Sequence, residues 1–149
     1  MISNRANIYL AGPLFSPHER EWNTRLRDRL AIFSDVYLPQ DDGALLVDLV
    51  GNGMSIQEAK NMVFEADVRA IERCDILLLV MDGRVIDEGA CFELGYAYSR
   101  GKVCVGLKTD VRSLLAIGDN PMIDCALREI FRDVDSVCHW IEYRLWEKH

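Results

Sequence analysis

Two hydrophobic rhythms alternate along this chain, and each change of rhythm marks a new element. Short continuous apolar runs are separated by longer stretches in which apolar residues recur every three or four positions. Asn7 to Ala11 reads as a first strand, broken by Gly12-Pro13. Ser16 or Pro17 then opens a helix to about Ile32, with Trp22, Leu26, Arg29 or Leu30 and Phe33 near helical spacing. Val36 to Leu38 reads as a brief second strand ended by Pro39. Gln40 to Met54, rich in Gly and Asp around the apolar Leu45 to Val50, reads as a long, partly structured loop. Ser55 and Glu58 form a capping box for a helix to about Arg73, whose expected core stripe is Ile56, Ala59 or Lys60, Val63, Ala66, Ala70 and Ile71.

The most apolar run, Cys74 to Met81, is hydrophobic at both strand parities, as in a strand buried on both faces. A helix beginning near Asp87 and ending at Gly101 follows, then a strand from Val103 to Leu107. Thr109 to Pro121 reads as a loop with a short helical turn. Met122 to Phe131 carries Ile123, Ala126, Leu127 and Ile130 at helical spacing; Val134 to Val137 then reads as an edge strand. Cys138 to Glu147 is an amphipathic helix with Trp140, Ile141, Leu145 and Trp146. This alternation predicts an α/β fold: a flavodoxin-like doubly wound sandwich, its five-stranded parallel sheet in order 2-1-3-4-5 with helices on both faces.

Composition narrows what such a fold can do. The 149 residues fit one domain with a full core. A net charge of -7 argues against a nucleic acid polymer as partner but leaves small uncharged ligands open. No apolar stretch reaches membrane-spanning length, and no basic-then-apolar leader opens the chain, so a cytoplasmic protein is expected. Five scattered cysteines without CxxC spacing read as reduced thiols, and a zinc site is not expected.

In an open parallel sheet the ligand crevice lies beyond the carboxyl ends of the strands, where the order reverses. Gly12, Asp82 and Asp87 fall there. Glu93 shares its helical stripe with Ala90, Leu94 and Ala97, so it faces the core, or the rim if the helix is turned by one position. Asp87 reads as a helix N-cap, Asp67 as a solvated helix position and Tyr9 as a core aromatic, unless the crevice recruits them. The chain has no G-x-G-x-x-G, P-loop, G-x-S-x-G or catalytic histidine constellation. Carboxylates are the remaining chemical resource, suited to acid–base and glycosidic chemistry.

At these residues the sequence resembles the nucleoside 2-deoxyribosyltransferase family. The likeness runs from Ile8-Tyr9-Leu10-Ala11-Gly12-Pro13 through Ala66-Asp67-Val68-Arg69-Ala70-Ile71. It peaks in Asp82-Gly83-x-x-x-Asp87-x-Gly89-x-x-x-Glu93-Leu94-Gly95-Tyr96-Ala97 and continues in Gly101-Lys102 and Asn120-Pro121-Met122. The resemblance implies that Glu93 is a nucleophile attacking C1′ of deoxyribose and that Tyr9 orients it. Asp67 and Asp87 would line the base site, one of them relaying a proton to the departing base. Asn120 would contact the sugar hydroxyls or hold Glu93, with Gly12, Asp82, Gly89 and Met122 also at the substrate. It further implies no metal or organic cofactor, and a homo-oligomer built from dimers in which a neighbour's segment helps close the site.

The leading expectation is therefore base exchange between 2′-deoxyribonucleosides and free nucleobases. Two alternatives stand beside it: a hydrolase of 2′-deoxynucleoside 5′-monophosphates and a non-catalytic nucleotide-binding module. The acidic helix start Asp87-Glu88-Gly89-Ala90-Cys91 repels a phosphate and favours an uncharged 5′-hydroxyl.

Overall fold

The sheet places its most apolar strand at the centre. In this computed structural model, which describes residues 5–113 and 115–147 (side chains to 144), β1 (Ala6–Ala11), β2 (Ser34–Tyr37), β3 (Ile76–Val80), β4 (Val103–Leu107) and β5 (Ile130–Phe131) form one parallel sheet. Its order is β2-β1-β3-β4-β5, as the pattern predicted. All five residues of β3 are buried, because helices cover both of its faces. Ile8, Leu10, Leu78 and Val80 point to one face, where they meet Leu26 and Leu30 of α1 (Pro17–Leu30) and Val137 and Ile141 of the last helix. Tyr9, Ala11, Leu77 and Leu79 point to the other face, where Ala70 and Ile71 pack alongside Ala90, Leu94 and Ala97.

Several helix ends follow from the sequence. Ser16 and Glu19 form a capping box at α1. The expected Ser55–Glu58 box opens the long helix Ile56–Arg73. Ile56 itself, in the first turn, is exposed and does not join the core stripe. Lys102 donates from Nζ to the carbonyls of Glu72 and Cys74, satisfying orphan acceptors at that helix's carboxyl end. Gly101 takes a left-handed φ of 70° just after the helix Glu88–Ser99, where a side chain would be strained.

One reading is sharpened and two need correction. The segment 40–54 holds two short helices, α2 (Pro39–Asp42) and α3 (Leu46–Gly51), so the long helix is α4 and Glu88–Ser99 is α5. Helix α6 is one turn, Pro121–Asp124, and the chain then leaves the helical path expected to continue to Phe131. Ile130 and Phe131 instead pair with Gly106 and Leu107, because the open edge of β4 has backbone groups that need partners. Arg128 N–H donates to Cys104, Gly106 N–H to Glu129 and Lys108 N–H to Phe131. The expected strand at 134–137 is the start of α7 (Val134–Glu147), whose first turn is held by Asp133 accepting from Ser136 N–H. Leu145 and Trp146 lie outside the described side chains.

Beyond β4, one ion pair anchors the loop that leads to Asn120. Lys108 is 2% exposed, and its Nζ donates to Asp119 Oδ2 at 2.5 Å and Ser113 Oγ at 3.3 Å. An ammonium this buried depends on its partner. Asp119→Ala is expected to destabilise the fold by about 3–5 kcal/mol, read from urea unfolding. A loss under about 1 kcal/mol, the size expected of an exposed pair, would show that the pair does not anchor the loop.

Candidate active site

Strand pleating aims Tyr9 at the α4–α5 face, and α5 brings Glu93 to meet it. Asp87 caps α5, its Oδ2 accepting from Ala90 N–H at 2.9 Å, which sets the helix phase. With that phase Ala90, Leu94 and Ala97 are buried and Glu93 is half-buried beside them. Of the two helix phases left open by the sequence, the structure takes the core-facing one. Tyr9 Oη donates to Glu93 Oε1 at 2.8 Å. Burial, then the nearby Glu93, raise the Tyr9 hydroxyl far above the ordinary phenol range, so it stays a donor.

A second acid stands close by. Tyr37 Oη donates to Asp67 Oδ1 at 3.1 Å, and the rings of Tyr9 and Tyr37 stack with centroids 5.4 Å apart. Asp67 is half-buried rather than solvated. Burial pushes its carboxyl up, while the Tyr37 hydroxyl pulls it down. Burial likewise pushes Glu93 up to about 8, opposed by the Tyr9 hydrogen bond and reinforced by the charges of Asp67 and Asp87. The Glu93 and Asp67 carboxyls are both raised by burial, and near neutral pH this pair retains a proton. Such a site holds both an acid and a carboxylate.

Glu93, Asp67 and Gly89 line a cavity of about 330 Å³ whose other walls include Leu46, Val63, Phe64 and Phe92. Phe64 and Phe92 stand half-exposed at its rim with ring centroids 5.9 Å apart. The remaining expected residues are placed differently. Gly12 ends β1 so close to β3 that a Cβ would come within 2.9 Å of Val80 Cβ. Asp82 is spent on backbone: its carboxylate accepts from Thr109 N–H, Thr109 Oγ1 and Asp110 N–H. Asn120 accepts from Met122 N–H as the cap of α6, and both residues are exposed and do not line this cavity.

The polar residues of the 40–54 segment are also committed. Gln40 bonds Asn23, Thr24 and the Arg20 carbonyl, Asp41 pairs with Arg27, and Asp42 accepts from Leu38 N–H. Tyr37 and Gly43 escaped the sequence reading. A Cβ at Gly43 would lie 2.9 Å from Tyr37 Oη and 3.3 Å from Asp67 Oδ1, so the tyrosine–aspartate contact needs a glycine there. The available signal was that Tyr9 and Tyr37 sit near the ends of adjacent parallel strands, where they face each other in register.

The sequence model of the nucleoside 2-deoxyribosyltransferase family matches residues 8–136, from the strand that carries Tyr9 into α7. The chain belongs to that family. Its members act on nucleoside N-glycosidic bonds, so the substrates are small molecules. No functionally curated protein matches the sequence. Among solved structures, a conserved protein from Enterococcus faecalis V583 is similar with a TM-score of 0.78 and 26% identity, over 94% of this chain and 99% of that one. A 2-deoxyribosyltransferase from Bacillus psychrosaccharolyticus has a TM-score of 0.73 and 25% identity, over 94% and 96%. The Clostridium botulinum CMP N-glycosidase BcmB, at 13% identity and a TM-score of 0.55 over 91% and 98%, shares the fold.

A raised carboxyl links the site to stability. Between about 4.3, the unfolded value of a glutamate, and about 8, the folded chain holds a proton that the unfolded chain releases. Stability contributed by this site therefore falls as pH rises through that window. Glutamine mimics the neutral acid and keeps an acceptor for Tyr9. Glu93→Gln is expected to be more stable than the parent at pH 8, by on the order of 2–4 kcal/mol. The difference should vanish near pH 4 in urea unfolding, and a variant less stable at pH 8 would show that Glu93 carries no such burden.

Proposed function

We propose that the protein is a nucleoside 2-deoxyribosyltransferase that exchanges the base of 2′-deoxyribonucleosides for a free purine or pyrimidine. The observation that carries this reading is the buried carboxyl pair, Glu93 held by Tyr9 and Asp67 held by Tyr37, on one cavity. With the proton of the carboxyl pair on the acid partner, Glu93 attacks C1′ as a carboxylate, forming a covalent deoxyribosyl-glutamate as the C1′–N bond breaks. The electron pair of that bond goes to the base, which takes a proton relayed by Asp67 or Asp87. A second base enters the vacated site, gives up a proton and attacks C1′ from the same face, so configuration is retained.

The walls formed by Leu46, Val63, Phe64 and Phe92 support a base rather than water as the acceptor, since aromatic and aliphatic surface offers water few partners. Asn120 and Met122, exposed and outside the cavity lining, would contact the sugar from its open side. Half-exposed Phe64 and Phe92 supply apolar surface for a homo-oligomer built from dimers. Five unpaired cysteines suit a cytoplasmic role in nucleoside salvage.

Incubating the protein with a 2′-deoxyribonucleoside and a different free base is expected to yield the new nucleoside. Glu93→Ala should lower that rate by at least about 1,000-fold. Free base appearing solely from a deoxynucleoside 5′-monophosphate would overturn transfer in favour of hydrolysis.

A further inference from the structure

Tyr37 is a polar group beside the carboxyl pair that takes no part in bond making or breaking. It stacks on Tyr9 from the neighbouring strand with ring planes 17° apart, and its hydroxyl reaches Asp67 Oδ1. Helix α2 and Gly43 hold the chain against this contact so closely that a single added methyl would collide with the Tyr37 hydroxyl. Asp67 Oδ2, by contrast, accepts no hydrogen bond among the described residues. The two oxygens of one carboxyl are thus unequal.

Resting on the transferase reading, we propose that Tyr37 is a positioning residue that fixes which oxygen of Asp67 carries the acid proton. A phenol donating to Oδ1 makes that oxygen the carbonyl-like acceptor of a neutral carboxyl. The proton then resides on Oδ2, the oxygen free to meet a ligand. When Glu93 forms its bond to C1′ and the C1′–N bond breaks, the electron pair left on the base takes the Oδ2 proton, and Asp67 becomes a carboxylate. The incoming base returns that proton on the second half-reaction, so the balance closes without any other reagent.

Asp87 is less suited to this task. It does not line the cavity that Asp67 shares with Glu93, and its hydrogen bond serves the cap of α5. Tyr37 also serves selectivity between the two acids. Each tyrosine of the stacked pair engages a different carboxyl, Tyr9 the nucleophile and Tyr37 the acid, so the two roles are separated by geometry.

Tyr37→Phe keeps the ring and its stacking and removes the hydroxyl alone. The test compares 2′-deoxyguanosine with its N7-methylated form, whose base is already cationic and departs without a proton. The variant is expected to lose about 10- to 100-fold in kcat on 2′-deoxyguanosine, with KM little changed, and to stay within about two-fold of the parent on the methylated substrate. The basic limb of its pH–kcat profile should move to higher pH, because the donor that pulled the Asp67 carboxyl down is gone. Equal loss on both substrates, or no loss on either, overturns the role of Tyr37 while base exchange by the parent upholds the transferase reading. A parent that exchanges neither base overturns that reading and this role together.

Discussion

A single hydrogen bond, from Tyr9 on the second-from-edge strand β1 to Glu93 on α5, sets the terms for the rest of this molecule. It joins residues 84 positions apart and holds a carboxyl against a core face where an acid without a donor would be costly. To make it, β1 must lie beside β3 with Tyr9 on the α4–α5 side, and α5 must be capped at Asp87 so that Glu93, between Ala90 and Leu94 on the apolar stripe, faces inward. Gly12 and Val80 show how tightly β1 and β3 meet at the carboxyl ends, just where the site opens. The sheet order is therefore more than packing: the reversal between β1 and β3 is what lets α4 and α5 bring two acids to one cavity.

The electrostatics of that cavity serve chemistry at some expense to folding. Glu93 is raised to about 8 by burial, and Asp67 is raised too, so at neutral pH the cluster carries less charge than its count of acids. Glycosidic exchange requires one carboxylate and one acid at the same moment, and a shared proton in a desolvated cluster supplies both. Two tyrosines, each kept protonated by burial beside a carboxyl, divide the labour by engaging different acids. Stability sacrificed at a working site is the usual exchange in enzymes.

Much of this was written plainly in the chain, and the parts that were not share a physical cause. The centre of the sheet was legible because β3 is apolar on both faces, and α4 because its capping box is local chemistry. Glu93 was legible as a polar interruption of an apolar stripe, but its phase was decided by the Asp87 cap. The region 122–131 misled because Ile123, Ala126, Leu127 and Ile130 satisfy helical spacing, while the open edge of β4, a tertiary demand, claimed Ile130 and Phe131. Asp82 shows the same limit, since an acid at a strand end looks the same in sequence whether or not it accepts, as here, from Thr109 N–H, the Thr109 hydroxyl and Asp110 N–H. Tyr37 has a faint sequence signal, its place near the end of a strand beside that of Tyr9, but its partners come from β1 and α4, and the glycine that makes room for it lies beyond α2.

The central claim is that Glu93 becomes covalently bonded to the sugar. Incubation with a 2′-deoxyribonucleoside in the absence of an acceptor base, followed by acid quenching and peptide mass analysis, addresses it directly. The account predicts a deoxyribosyl group on the peptide containing Glu93, with its fragments placing the mass on that residue, and none in Glu93→Gln. A sugar adduct on Asp67, Asp87 or any other residue, during active base exchange, would contradict it.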